Sequence, residues 1–197
     1  MSTSTLSHPA TPARLGVTVL LGALTVTFGA GLILYVIART GAGSHLVRDA
    51  MHGELPALPV WLWVSTFVLF ASSVVVFQAM QWVRMALPFQ ARRAFRLAAA
   101  LGWVFLVLQV PGLVVLADRY RPEGGERSVV YFLVLFLVGL HLLHAFGGLF
   151  PMTSLARRAT FLREDAPGRE RLSNVGLYWH FLAGIWLVMF TTFSVVR

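Results

Sequence analysis

The sequence contains no cysteine and no lysine, and only 12% of its residues are charged, roughly half the share found in an ordinary soluble domain. Without cysteine there are no disulfides, no thiolate nucleophiles, no iron–sulfur ligands and no covalent attachment of a c-type haem. The scarcity of charge has a wider consequence. A chain that is 57% hydrophobic cannot cover its own surface if it folds in water, so composition alone points to lipid. P-loop, G-x-S-x-G and H-E-x-x-H patterns are missing, and so is any inverted repeat. Each bilayer crossing takes roughly 20 mostly apolar residues. Five crossings and their connections nearly exhaust 197 residues, leaving no room for a soluble catalytic domain of about 50 residues or more.

What is present is a series of long apolar runs. Five spans free of Asp, Glu, Lys and Arg are expected at about 15–38, 60–83, 97–117, 128–150 and 176–196. The fold expected is therefore all-α, a polytopic membrane protein of five transmembrane helices in a single membrane domain. The start of the chain, rich in Ser, Thr and Pro with one Arg, lacks the basic opening and short apolar core of a cleavable signal, so the first span is expected to remain in the membrane. Segment 44–55 is a weak candidate for a short interfacial helix. Ser65, Thr66, Ala71, Ser72 and Ser73 allow close helix approach in the second span, which carries Gln78 and Gln81 near its far end. The third carries Gln109 and the Pro111-Gly112 pair, where a kink is expected.

All 16 basic residues are arginines, as a GC-rich genome would produce, and the net charge is +8. A pI near 11.4 would suggest nucleic acid in a soluble protein. Here the arginines lie between apolar spans, so lipid headgroups are the better partner. Ten arginines and three acids fall on one side of the membrane, against six and five on the other. The positive-inside rule then puts the N-terminus in the cytoplasm and the C-terminus outside, in the periplasm of a bacterial inner membrane.

With no carboxylate or lysine inside the spans, chemistry falls to three histidines and a few tyrosines. His141 and His144 are three residues apart on one face of the fourth span, and His180 lies near the start of the fifth. Because consecutive spans are antiparallel, all three fall at similar depth, in one cytoplasmic-side third of the membrane. Three readings stay open: a haem b between facing helices with Gly147, Gly148 and Gly184 beside it, a metal held by the cluster, or hydrogen bonding across helices and to lipid. A metal site would want a carboxylate to orient its imidazoles, and the spans contain none. Trp61, Trp63, Trp179 and Trp186, with Tyr178, suit aromatic belts at the two interfaces. Phe132, Phe136 and Phe146 suit packing and lipid contact, and the basic segment 157–171 a positive-inside loop.

Two stretches carry a resemblance. Residues 131–148, with His141, His144, Gly147 and Gly148, resemble the penultimate helix of subunit III of the haem-copper terminal oxidases. Residues 177–186 resemble its final helix, which opens on Trp179-His180-Phe181 and places Trp186 six residues after the histidine. Leu55-Pro56 and Pro59 ahead of Ser65-Thr66 and Ser72-Ser73 are similar to that family's Leu-Pro entry into a serine-rich helix. Leu101-Gly102, Phe105 and Leu108-Gln109 are similar to another of its helices. The resemblance takes in four of the five spans, in order, and suits the short five-helix bacterial form. Positions where the family commonly carries acids hold Thr25, Gly112 and Ala183, so the chain looks like a divergent member, and the resemblance implies no protonatable relay within it.

The resemblance implies a non-catalytic accessory subunit of a respiratory haem-copper oxidase complex, or of a relative such as a nitric oxide reductase complex. It implies the catalytic subunit I and phospholipid as partners, haem and copper held in those partners rather than in this chain, and no nucleic acid. His141, His144, Trp179, His180 and Trp186 are then lipid or interhelical contacts, with no catalytic, cofactor-binding or metal residue. A small b-type cytochrome using two of the three histidines is the alternative.

Overall fold

The computed structural model describes residues 12–40, 59–119, 129–157 and 166–196. These residues form five helices: α1 (Pro12–Thr40), α2 (Val60–Arg84), α3 (Pro88–Arg119), α4 (Val129–Arg157) and α5 (Ala166–Val195). All five are long and apolar enough to cross a membrane, so the chain is a multi-pass membrane protein. Among the described residues there is no strand. The segment 44–55 lies outside the described residues.

The helices outrun the apolar spans, and the reason is chemical. α3 starts at Pro88 rather than near 97, and α4 runs through Pro151 to Arg157 rather than stopping at 150. Hydropathy ends where charge begins, but a helix continues as long as its backbone groups are satisfied. Arg92 Nη2 donates to the carbonyl of Arg157 and Arg96 Nε to that of Ala156, each at 3.3 Å. Two guanidinium groups from the first turns of α3 thereby cap the last turn of α4, where cations also oppose the helix dipole favourably. α5 likewise begins at Ala166, well before 176. Pro111 sits inside α3, which runs unbroken through it.

Four helices close a ring: α2 packs on α3, α3 on α4, α4 on α5, and α5 back on α2. α1 rests on the α4–α5 side of that ring. The buried positions of α2 are Leu62, Ser65, Leu69, Ser72, Val76 and Ala79. Their alternating spacing of three and four is the seam of left-handed helix packing. The inward face of α3 opens with Ala91, Ala94, Ala98 and Ala99, small side chains that let helices approach where lipid supplies no hydrophobic drive to association. Some large apolar groups point outward to lipid, with Phe67 at 72% and Phe132 at 62% exposure, while others such as Phe95 and Phe105 fill the interior.

The α2–α3 connection is compact. Ala86 takes a left-handed conformation, φ 55°. Its N–H reaches the carbonyl of Val83 at 3.2 Å, and that of Leu87 reaches Trp82 at 2.9 Å. This is the six-to-one and five-to-two pairing of a Schellman ending, and Pro88 then opens α3 at a position that needs no N–H.

Candidate functional site

The family-like residues of α5 face α2, and three polar contacts join the two helices. Trp179 Nε1 donates to Ser72 Oγ at 3.1 Å, and Ser72 Oγ donates on to the carbonyl of Ala98 in α3 at 2.9 Å. Trp186 Nε1 donates to Thr66 Oγ1 at 2.9 Å. His180 Nδ1 lies 2.7 Å from Ser73 Oγ. Hydroxyls at 65–66 and 72–73, seven apart, thus stand opposite indoles at 179 and 186, also seven apart. The hydroxyl residues of α2 are legible in the sequence as small groups. Their role as acceptors shows only when that spacing is matched to the tryptophans.

Trp179 and Trp186 are buried, with 1% and 2% exposure, which corrects the expectation that they belong to an interfacial belt. An indole needs the interface only to find a partner for its N–H, and here the hydroxyls of α2 provide that partner inside the bundle. Trp61 and Trp63, at 48% and 44% exposure near the start of α2, keep the outward placement a belt requires.

The three histidines occupy neighbouring levels but separate environments. Tyr178 of α5 donates its hydroxyl to the carbonyl of His144 at 3.1 Å, which fixes the register of α4 against α5. His144 Nδ1 is 2.7 Å from the carbonyl of Leu140 in its own helix, and its ring lies edge-on to Phe28 of α1 at 6.0 Å. His141 is wholly buried. Its ring is surrounded by Trp186 at 5.1 Å and by Phe28 and Phe105 at 6.2 Å each. Measured on the full α4, His141 is twelve residues from one end and sixteen from the other, close to mid-helix. The aromatic partners Phe28 and Phe105 carry no signal in the sequence, because nothing local tells an inward phenylalanine from a lipid-facing one.

The space beside these histidines does not match a macrocycle between α4 and α5. A Cβ at Gly148 would meet Tyr178 Cε1 at 2.6 Å, so the room this glycine leaves is filled by the tyrosine ring. Gly147 and Gly184 are exposed and face away from the bundle. Among the described residues, no group of three or more His, Asp or Glu side chains is placed to share a metal.

The three positions where acids are usual in the resembled family differ in setting. Thr25 is exposed on α1 and bonds back to the carbonyl of Leu21 at 2.8 Å. Ala183 packs at the margin of the core. Gly112 is buried, and a Cβ there would stand 2.9 Å from Leu62 Cδ2. A leucine of α2 thus fills the space beside this glycine.

Among the described residues, fold and contacts define a bundle of five membrane-length helices in which several polar side chains join one helix to another. No protein-family model matches the chain. Among curated proteins it is similar to the probable cytochrome c oxidase subunit 3 of Mycobacterium leprae, at 28% identity over 173 residues, covering 86% of this chain and 81% of that protein.

Proposed function

We propose that this chain is an accessory subunit of a respiratory haem-copper oxidase complex, a divergent short-form relative of subunit III. It works by helix packing beside the catalytic subunit and by contact with phospholipid. Haem and copper belong to its partners, and no redox group belongs to the chain itself. The observation that carries the reading is the likeness to an oxidase subunit over most of both chains. The fate of the family-like residues adds to it. Trp179, His180 and Trp186, the signature of the final helix, bond to hydroxyls of α2, a use that suits a scaffold better than a reaction centre. His144, half-buried beside Tyr178, is the histidine nearest in character to a lipid or partner contact.

The arginine asymmetry supports a cytoplasmic N-terminus and a periplasmic C-terminus in a bacterial inner membrane. The capping arginines Arg92 and Arg96 then lie at the cytoplasmic headgroup level with Arg93 and Arg157, where anionic lipid is attracted. Deleting the chain tests the function. The haem spectrum of the remaining complex is expected to persist while assembly or sustained turnover falls. Loss of the oxidase haems from an otherwise assembled remainder would contradict the reading.

A further inference from the structure

Four polar side-chain atoms in the heart of the bundle have no hydrogen-bond partner among the described residues: Nδ1 and Nε2 of His141, and the amide oxygen and nitrogen of Gln109. Both residues are wholly buried. In lipid there is no bulk water to compensate them, and each orphaned group carries a cost that native proteins rarely leave standing. We propose that Gln109 of α3 and His141 of α4 hold a bound water molecule between them, a hydrated node at the centre of an otherwise apolar bundle.

The register of the two helices brings these residues together. α3 and α4 are antiparallel. The Phe105 ring lies 6.2 Å from that of His141, and further along Tyr131 donates its hydroxyl to the carbonyl of Ala117 at 3.3 Å. Gln109 stands one turn beyond Phe105 on the same face of α3, which sets its backbone about one turn from that of His141. Side chains on a helix lean toward its N-terminus. In an antiparallel pair, Gln109 therefore leans back toward the His141 level while His141 leans toward Gln109. This register brings the two side chains toward each other, and neither bonds the other directly, the arrangement in which one water spans the gap.

The chemistry of the two groups matches that ligand. Neutral imidazole offers one donor and one acceptor, and the amide offers two donors and an acceptor. Water answers with two donors and two acceptors, and a buried water usually makes about three such bonds. The surrounding groups offer no substitute. Phe28 and Phe105 have no polar atom, and the Trp186 N–H is engaged with Thr66. Such a node fixes the rotation of α3 against α4, because turning either helix would carry an unpaired amide or imidazole into apolar packing.

The direct test is a density map of the full chain, alone or in its native complex, at a resolution that reveals ordered water. A peak within about 2.7–3.2 Å of both the Gln109 amide and a His141 ring nitrogen is expected. A direct bond between the two side chains, or a well-ordered map with no such peak, would overturn the proposal. An independent reading comes from thermal unfolding of Gln109→Leu, His141→Phe and the double variant. Each single change should lower the midpoint by several degrees, and the double should lie above the worse single, since it removes both thirsty groups. Losses that simply add would also overturn the proposal.

Discussion

Replacing Ser72 with alanine isolates one atom on which the packing of three helices depends. Ser72 Oγ accepts from Trp179 Nε1 at 3.1 Å and donates to the Ala98 carbonyl at 2.9 Å, so α5, α2 and α3 meet at one hydroxyl. Ser72 is wholly buried and Trp179 is 1% exposed, leaving the indole no route to solvent. Ser72→Ala removes only an oxygen and opens almost no cavity, but it strands a buried N–H. The cost of such an orphan is about 1–3 kcal/mol. Trp179→Phe removes the donor along with part of a large ring, and its cost is dominated by the space left behind. In the double variant the orphan no longer exists, so the two losses should fall short of their sum by about 1–2 kcal/mol. Denaturant unfolding of the solubilised chain, followed by far-ultraviolet circular dichroism, measures all three. A loss below about 0.5 kcal/mol for Ser72→Ala, or strict additivity in the cycle, would refute the claim that this hydroxyl joins the helices.

Three further substitutions probe other parts of the structure. Gly148→Ala would put its Cβ 2.6 Å from the Tyr178 ring, an overpacking worth about 1–3 kcal/mol. It should also break the Tyr178–His144 bond, and an unchanged unfolding midpoint would contradict that packing. Ala86→Gly should stabilise the α2–α3 turn by about 1 kcal/mol, because alanine at φ 55° bears a left-handed penalty that glycine avoids; no gain in unfolding free energy would deny that conformation. Gly112→Asp places an acid at a position where the resembled family commonly carries one. With Leu62 already 2.9 Å from the Cβ site, and about 2.5–3.5 kcal/mol of insertion cost, accumulation in the membrane should fall sharply on an immunoblot. Normal abundance would count against the close α2–α3 contact.

The helices were readable from hydropathy because lipid makes a simple demand: an uninterrupted apolar run with every backbone group bonded internally. Their ends were not. Arg92 and Arg96 look like loop residues until they are seen reaching the carbonyls of Arg157 and Ala156, an interaction between positions some sixty residues apart. That the histidines share a level follows from counting residues, but their depth and environments do not: the helices outrun the apolar spans, so His141 stands near the middle of α4 rather than in one cytoplasmic-side third. His141 is enclosed by Phe28, Phe105 and Trp186 from three other helices, and no local pattern announces which aromatic turns inward. Trp179 and Trp186 show the same limit from the other side. Tryptophan in an apolar span reads as a belt residue, and only the matched hydroxyls of α2 reveal why these two turn inward instead.

Gly112 and Leu62 also bear on the missing acids. A Cβ at Gly112 would stand 2.9 Å from Leu62 Cδ2, so a leucine from the neighbouring helix fills the space where the resemblance would place a carboxylate. The bundle is thus closed where a proton-handling group would need room. The exposed Thr25 shows no such closure.

Isolating the full chain from its native membrane in mild detergent, and identifying by mass spectrometry what comes with it, tests the central claim most directly. A catalytic haem-copper subunit in near-stoichiometric amount is expected. Recovery of the chain alone, or with partners that lack haem and copper ligands, would contradict it.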